Sequence, residues 1–265
     1  MKGKQIKALV TIIFLMMITA VAWSMRDRIF QKKNTSSAKI KPAKDSLNNH
    51  IAYDTALVKK FSDECKRFNM QSDPLTYSGI INITDGADTA DHINNMRFLY
   101  SRIGNDYYFK NGDNETLNAQ GVYLYIEHAQ KRILISKQKE IPKAPLPDMS
   151  GIADKMQSEH YSMQDKKNGG YETIALLNEH HITCKEYAIT FDTLSQKMHS
   201  VTMRLSFFSD PLNKKKDKVI SMVVNRYENK ADVSVFPDKN KIVERNNDGW
   251  KLTDLYKGYK LIQIP

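Results

Sequence analysis

The densest set of soft metal ligands in the chain is HHITC, where His180, His181 and Cys184 fall within five residues. Zinc accepts His and Cys at such spacing, but a structural site takes four ligands and a catalytic one three. The other histidines of that half, His160 and His199, lie far off in sequence. The cluster therefore reads as polar residues at a strand turn, and no metal is expected. TDGADTAD places Asp85, Asp88 and Asp91 in one loop. It lacks the spacing of glycine and terminal glutamate that an EF-hand needs to wrap a calcium ion, and reads as a solvated, exposed loop. No GxSxG elbow lifts a serine nucleophile, and neither GxGxxG nor a Walker lysine is present to cradle a phosphate. The expectation is a protein that is not an enzyme, with no catalytic residue and no cofactor. Cys65 and Cys184 are the only cysteines and have no CxxC spacing. Outside the cytoplasm they form either one disulfide or two inert free thiols, and geometry decides between these. KKKDK, from Lys214 to Lys218, reads as a hairpin tip kept wet by its charges. Against a bilayer the same tip would meet anionic lipid.

The elements around these residues are mostly strands. A helix is expected from Ser46 to Met70, with Leu57, Val58, Phe61, Cys65 and Phe68 forming one stripe at three- and four-residue steps. Pro74 ends it. Alternating runs follow at Thr76–Thr84, Asn95–Ile103, Tyr107–Lys110, Glu115–Asn118, Val122–Glu127 and Arg132–Ser136. Gly104-Asn105 and Asn111-Gly112 tolerate positive φ and close tight hairpins, so these runs form an antiparallel meander. Three prolines between Pro142 and Pro147 interrupt the ladder. A short helix is expected from Ile152 to Met163, with Met149, Met156 and Met163 seven residues apart, and the loop DKKNGG comes after it. Strands resume at Tyr171–Leu177, Thr183–Phe191, Lys197–Phe208 and Val219–Tyr227. Three shorter ones then run through Lys241–Glu244, Trp250–Leu252 and Tyr256–Ile264.

The meander carries large apolar groups on both alternating faces. Val122, Leu124 and Ile126 point one way while Tyr123 and Tyr125 point the other. A free-standing antiparallel sheet needs only one apolar face, so here both need a cover. The long helix is expected to cover one and the Met-rich helix part of the other. Flexible, polarizable Met suits a lid over irregular apolar ligands, although such a stripe more often reports plain core packing. Tyr100, Tyr108, Tyr123, Tyr125, Met156 and Met163 are the expected lining of the ligand site.

The charge of +10 has a local origin. Ten of the 40 Lys/Arg and two of the 30 Asp/Glu fall between Met1 and Asp45, leaving 30 and 28 in the rest. A nucleic-acid footprint needs a basic face on the folded body, so nucleic acid is not an expected partner. The uncharged run Ala8–Met25 would span about 27 Å as a helix, enough to cross a bilayer core. It reads as an uncleaved anchor in preference to a signal peptide cut after Ser24, because Arg26, Arg28, Lys32 and Lys33 follow directly. The expected organisation is a cytoplasmic stub and transmembrane anchor over 1–30, a basic linker over 31–45, and one domain over 46–265.

The order of long helix, tyrosine-rich meander (RFLYSRIGNDYYFKNG), YLYIE followed by KRILISK, Pro-rich break with an inserted helix, and further antiparallel strands resembles the LolA/LolB-like superfamily of periplasmic lipoprotein carriers. The resemblance implies an α+β fold, a strongly curved antiparallel sheet forming a half-open barrel lidded by helices around an apolar cavity. It implies lipid or a lipidated protein as ligand and, together with the anchor reading, a periplasmic body on a single-pass helix in a bacterial inner membrane. The chain departs from soluble carriers by its anchor and from lipid-anchored receptors by lacking an acylated Cys. A tethered relative, serving a fixed set of envelope-complex subunits, fits both departures. The alternative expectation is a structural subunit of an envelope or secretion complex whose core is fully packed.

Overall fold

The computed structural model describes residues 53–67, 73–140, 156, 158–247 and 249–264. The anchor run, the basic linker, Met149 and the proline cluster lie outside these residues. Among the described residues no helix is long and apolar enough to cross a membrane. The backbone divides into two compact units, Met1–Ser62 with Lys143–Ser162, and Asp63–Pro142 with Met163–Pro265.

Helix α1 (Thr55–Arg67) crosses that division. Its described start falls later than Ser46 because Tyr53 and Asp54 are not helical. The Asp54 carboxylate accepts the Ala56 and Leu57 amides at 2.8 and 3.3 Å and caps the first turn. In the first unit, Tyr53 Oη donates to the Tyr161 carbonyl at 2.5 Å, and Met156 and Tyr161 are buried. The Met-rich helix ends before Met163. His160 takes a left-handed φ of 56°, and the Tyr161 amide reaches back to the Met156 carbonyl at 2.9 Å. That is a Schellman stop. Met156 and Met163 therefore do not share a helix face, because Met163 lies in a strand.

The second unit is built on a twelve-stranded sheet. Its strands are β1 (Leu75–Asp85), β2 (Ile93–Ile103), β3 (Asp106–Asn111), β4 (Asn114–Ala119), β5 (Val122–Glu127), β6 (Arg132–Lys137), β7 (Ser162–Asn168), β8 (Tyr171–Leu177), β9 (Cys184–Asp192), β10 (Met198–Leu205), β11 (Lys218–Glu228) and β14 (Lys260–Gln263). The spatial order is β14-β6-β5-β4-β3-β2-β1-β11-β10-β9-β8-β7. Two meanders thus meet at β1 and β11, and the sheet ends in two edges without closing into a barrel. Gly79 sits at the bulge between β1 and β11, where a Cβ would lie 1.9 Å from the Val223 carbonyl oxygen. Strand β7 occupies the stretch expected to be a loop. Its sequence, SMQDKKN, is mostly exposed and does not alternate. Polar, Lys-bearing residues blunt an open sheet edge against pairing with other chains.

Strands β12 (Val243–Asn246) and β13 (Gly249–Leu252) form a separate two-stranded ribbon. Ile242 and Val243 bury themselves against Leu117, Leu124, Ile126, Ile133 and Ile135, with Phe236, Trp250, Leu252, Tyr256, Tyr259 and Leu261 packed around them. One apolar face of β4–β6 is therefore covered by the chain's own C-terminal segment, and the expectation of a helix there is corrected. The hydroxyls of Thr76 and Ser101, both fully buried, set the path of this cover. Each accepts the Asp232 amide at 2.9 Å, and Thr76 donates to the Lys230 carbonyl at 2.7 Å. Chain leaving β11 is thereby turned across the sheet.

Candidate functional site

Residues directly opposite on paired strands share a face. Following the register from Tyr125 gives Thr116, Phe109, Tyr100, Tyr77 and Tyr227 across β5, β4, β3, β2, β1 and β11. The neighbouring row runs Tyr123, Asn118, Tyr107, Arg102 and Leu75. Both lie on the face away from the C-terminal cover, and they make an aromatic cluster on β1–β3 and a tyrosine pair on β5, separated by Thr116 and Asn118 of β4. Tyr77 and Tyr100 have ring centroids 5.1 Å apart, Tyr100 stacks on Tyr107 at 5.9 Å, and Phe109 meets Tyr100 edge-on at 6.3 Å. Offset and edge contacts of this kind suit aromatic quadrupoles.

Burial is graded along this face. Leu75, Tyr77 and Phe98 are buried, whereas Tyr100, Tyr107, Phe109, Tyr123 and Tyr125 are half-buried. Burial pushes the phenols of Tyr100 and Tyr125 up to about 12, and it raises Tyr107 and Tyr123 as well. The hydroxyls stay protonated at any physiological pH, so the face carries neutral phenols. The Tyr125 hydroxyl is buried and has no hydrogen-bond partner among the described residues. Asn118, fully buried on the same face, accepts the Lys139 amide at 2.8 Å and donates to the Lys139 carbonyl at 2.9 Å. The Lys139 ammonium lies 3.7 Å from the centroid of the Tyr123 ring. Chain leaving β6 is thus tied onto the aromatic face.

Of the six expected lining residues, Tyr100, Tyr123 and Tyr125 come together here. Tyr108 does not. It faces the C-terminal cover, donating to Glu115 Oε2 at 2.8 Å and packing on Phe236 at 6.3 Å. Its neighbour Tyr107 takes the place on the aromatic face, because a shift of one residue inverts the side. Met156 belongs to the first unit and Met163 to edge strand β7. Of the residues that sequence reasoning missed, Tyr107 and Phe109 could have been found by pairing strands through the Gly104 and Gly112 turns, whereas Tyr77 on β1 lies beyond both.

The chemistry-bearing clusters are engaged otherwise. His181 Nδ1 accepts the Thr183 and Cys184 amides at 3.2 and 3.1 Å, and the Cys184 thiol donates to the Glu186 carbonyl at 3.2 Å. Among the described residues no three His, Cys, Asp or Glu side chains converge as for a metal. Cys65 and Cys184 are not bonded to each other in this structure, the second of the two alternatives. Burial, then the Glu64 charge, pushes the Cys65 thiol up to about 12, so it is poorly reactive. A groove of about 280 Å³ between Tyr171, Asp192, His199, Arg226 and Tyr227 contains none of the expected lining residues.

No family model and no curated protein matches the chain. Among solved structures, the crystal structure of a LolA superfamily protein from Nitrosomonas europaea is similar over 69% of this chain and 98% of that one, with 7% identity and a TM-score of 0.28.

Proposed function

We propose that this is a non-enzymatic, membrane-anchored protein of a bacterial envelope whose extracytoplasmic body binds a lipid, a lipoprotein acyl chain or an apolar partner segment on the aromatic face. One observation carries the reading. Both faces of β2–β6 carry apolar residues, and among the described residues the ribbon closes one, while Tyr100, Tyr107, Phe109, Tyr123 and Tyr125 stay half-buried on the other. Apolar pockets with few polar groups are the usual form of a lipid site. The uncharged run Ala8–Met25 and the basic linker after it support the anchor, with the body held outside the cytoplasm. Curvature of the open sheet into a half-barrel would wrap the ligand.

The alternative is a structural subunit of an envelope complex, and the complete burial of Leu75, Tyr77 and Phe98 on the same face favours it. Native mass spectrometry of the gently solubilised full chain separates the two. A discrete co-purifying amphiphile, lost in a folded Tyr100→Asp variant, supports ligand binding. Bare protein in a defined assembly, with Tyr100→Asp unfolded, supports the subunit.

A further inference from the structure

The described residues include ten exposed large apolar side chains, and four of them stand at one end of β8–β11. Ile182, in the β8–β9 turn, is 62% exposed. Phe207, Phe208 and Leu212, in the loop after β10, are 36%, 85% and 69% exposed. The two segments are joined: the Ser206 amide donates to the Thr183 carbonyl at 2.9 Å and the Ser206 hydroxyl to the His181 carbonyl at 2.6 Å. Lys197–Phe208 reads as one strand in sequence, but β10 ends at Leu205 and leaves both phenylalanines in the loop.

This loop is built, not slack. Successive backbone bonds run from Asp210 to Phe207, Asn213 to Asp210 and Lys216 to Asn213 at 2.9–3.1 Å. Lys185, fully buried, holds Asp217 at 2.7 Å, and Lys216 holds Asp210 at 3.0 Å. Glycine at position 86 lets the β1–β2 loop approach closely, since a Cβ there would lie 2.0 Å from the Lys215 carbonyl oxygen. Conformation therefore keeps the apolar side chains outward. Their charged neighbours are largely neutralised: Glu179 and Glu186 by Arg204, Glu179 also by Lys214, and Asp85 by Lys218. Lys215 makes no ion pair among the described residues, and Asp88 and Asp91 stand in the adjacent β1–β2 loop.

We infer that this double-loop tip is a bilayer-contact site, seating Phe208, Leu212 and Ile182 in the interfacial region of a lipid membrane. Such side chains offer about 200 Å² each at full exposure, so the tip totals roughly 500 Å², short of the ~800 Å² per partner of a stable protein interface. Lysines beside apolar groups are disfavoured at protein interfaces, but they snorkel readily at a membrane surface. A weak tip suffices if the chain is tethered, an argument that rests on the anchor reading above. A tether at the expected basic linker, 31–45, would hold the body at high effective concentration near the bilayer.

The test uses the full chain reconstituted in phosphatidylcholine vesicles, with Phe208→Trp compared against the parent to subtract Trp23 and Trp250. The signal of the introduced indole is expected to shift to the blue and to be quenched by doxyl-labelled lipid, and Leu212→Trp repeats the readout if the first variant misfolds. With one-third phosphatidylglycerol, Lys215→Glu is expected to lower tip occupancy by about fivefold or more. A chain that floats with the vesicles while tryptophan at both positions stays red and unquenched overturns the inference and leaves the anchor standing. A shift seen only with native membranes and abolished by stripping their proteins also overturns it, in favour of a protein partner.

Discussion

Strands β3–β6 and β8–β11 belong to one sheet, yet they deal differently with the face opposite the aromatic rows. In β8–β11 that face carries Thr173, Ala175, Ala188, Thr190, Ser200, Thr202 and Ser221 in register, and Thr173 and Thr190 bond across strands at 2.8 Å. Small and hydroxylic residues need no cover. In β4–β6 the same face carries Leu117, Leu124, Ile126, Ile133 and Ile135 and recruits a ribbon from far along the chain. The second meander places its cost elsewhere, in Lys185, whose buried ammonium must be matched by Asp217. Alternation in each strand therefore dictates how many covers the fold must supply.

The comparison can be broken at several points. Asp217→Ala leaves Lys185 charged and unpaired in a fully buried site and should cost about 3–5 kcal/mol. Urea unfolding of the full chain measures it, and Asp217→Ala with Lys185→Met should recover much of the loss. Leu124→Ala, beneath the ribbon, should cost about 2–5 kcal/mol. Protease sensitivity should rise first near Trp250 and Tyr256 as the cover loosens.

Glu115 lies at the rim of that cover, bonded to Tyr108 at 2.8 Å, Lys110 at 3.0 Å and His128 at 3.2 Å, while His128 meets Tyr259 Oη at 2.7 Å. Burial pushes its carboxyl up, but the hydrogen bonds and the Lys110 charge outweigh this and hold it below its ordinary 4.5. A depressed carboxylate stabilises the fold above its unfolded value and loses that contribution as pH falls through its folded one. Glu115→Gln should therefore lower stability by about 1–3 kcal/mol at neutral pH. It should also flatten the decline in melting temperature below about pH 4.5.

Thr202→Ala, on the uncovered face of β10, should change stability by no more than about 0.5 kcal/mol. The smallest effect belongs to Tyr125→Phe, which removes a buried hydroxyl without a partner among the described residues. Stability should stay within about 0.3 kcal/mol of the parent or rise by that much. A parallel drop in displacement of bound cis-parinaric acid would mean that a ligand supplies the missing hydrogen bond.

Legibility in the sequence follows the strength of the local signal. Val122–Glu127 is legible to the residue, because VYLYIE alternates and Gly121 precedes it with a φ of 79°. Strand β7 is not, since an edge strand of polar residues is held by backbone bonds that leave no trace in SMQDKKN. Ile242, Val243 and Trp250 look like further strands, and periodicity names an apolar side without naming what it packs against. The choice of Tyr108 over Tyr107 fails for the same reason. In YY, only the partner strand decides which ring faces Tyr100.

Strand β14 makes the one parallel pairing among the described strands, setting Lys260 beside Arg132 and Gln263 beside Ile135. Everything between them must emerge from the ribosome before that pairing forms. At about 5–20 residues per second, β6 waits on the order of ten seconds with its outer backbone groups unmatched. During synthesis this strand is a vacancy for whatever extended chain arrives first, and a nascent-chain chaperone or a neighbouring copy would compete there with the protein's own C-terminal segment.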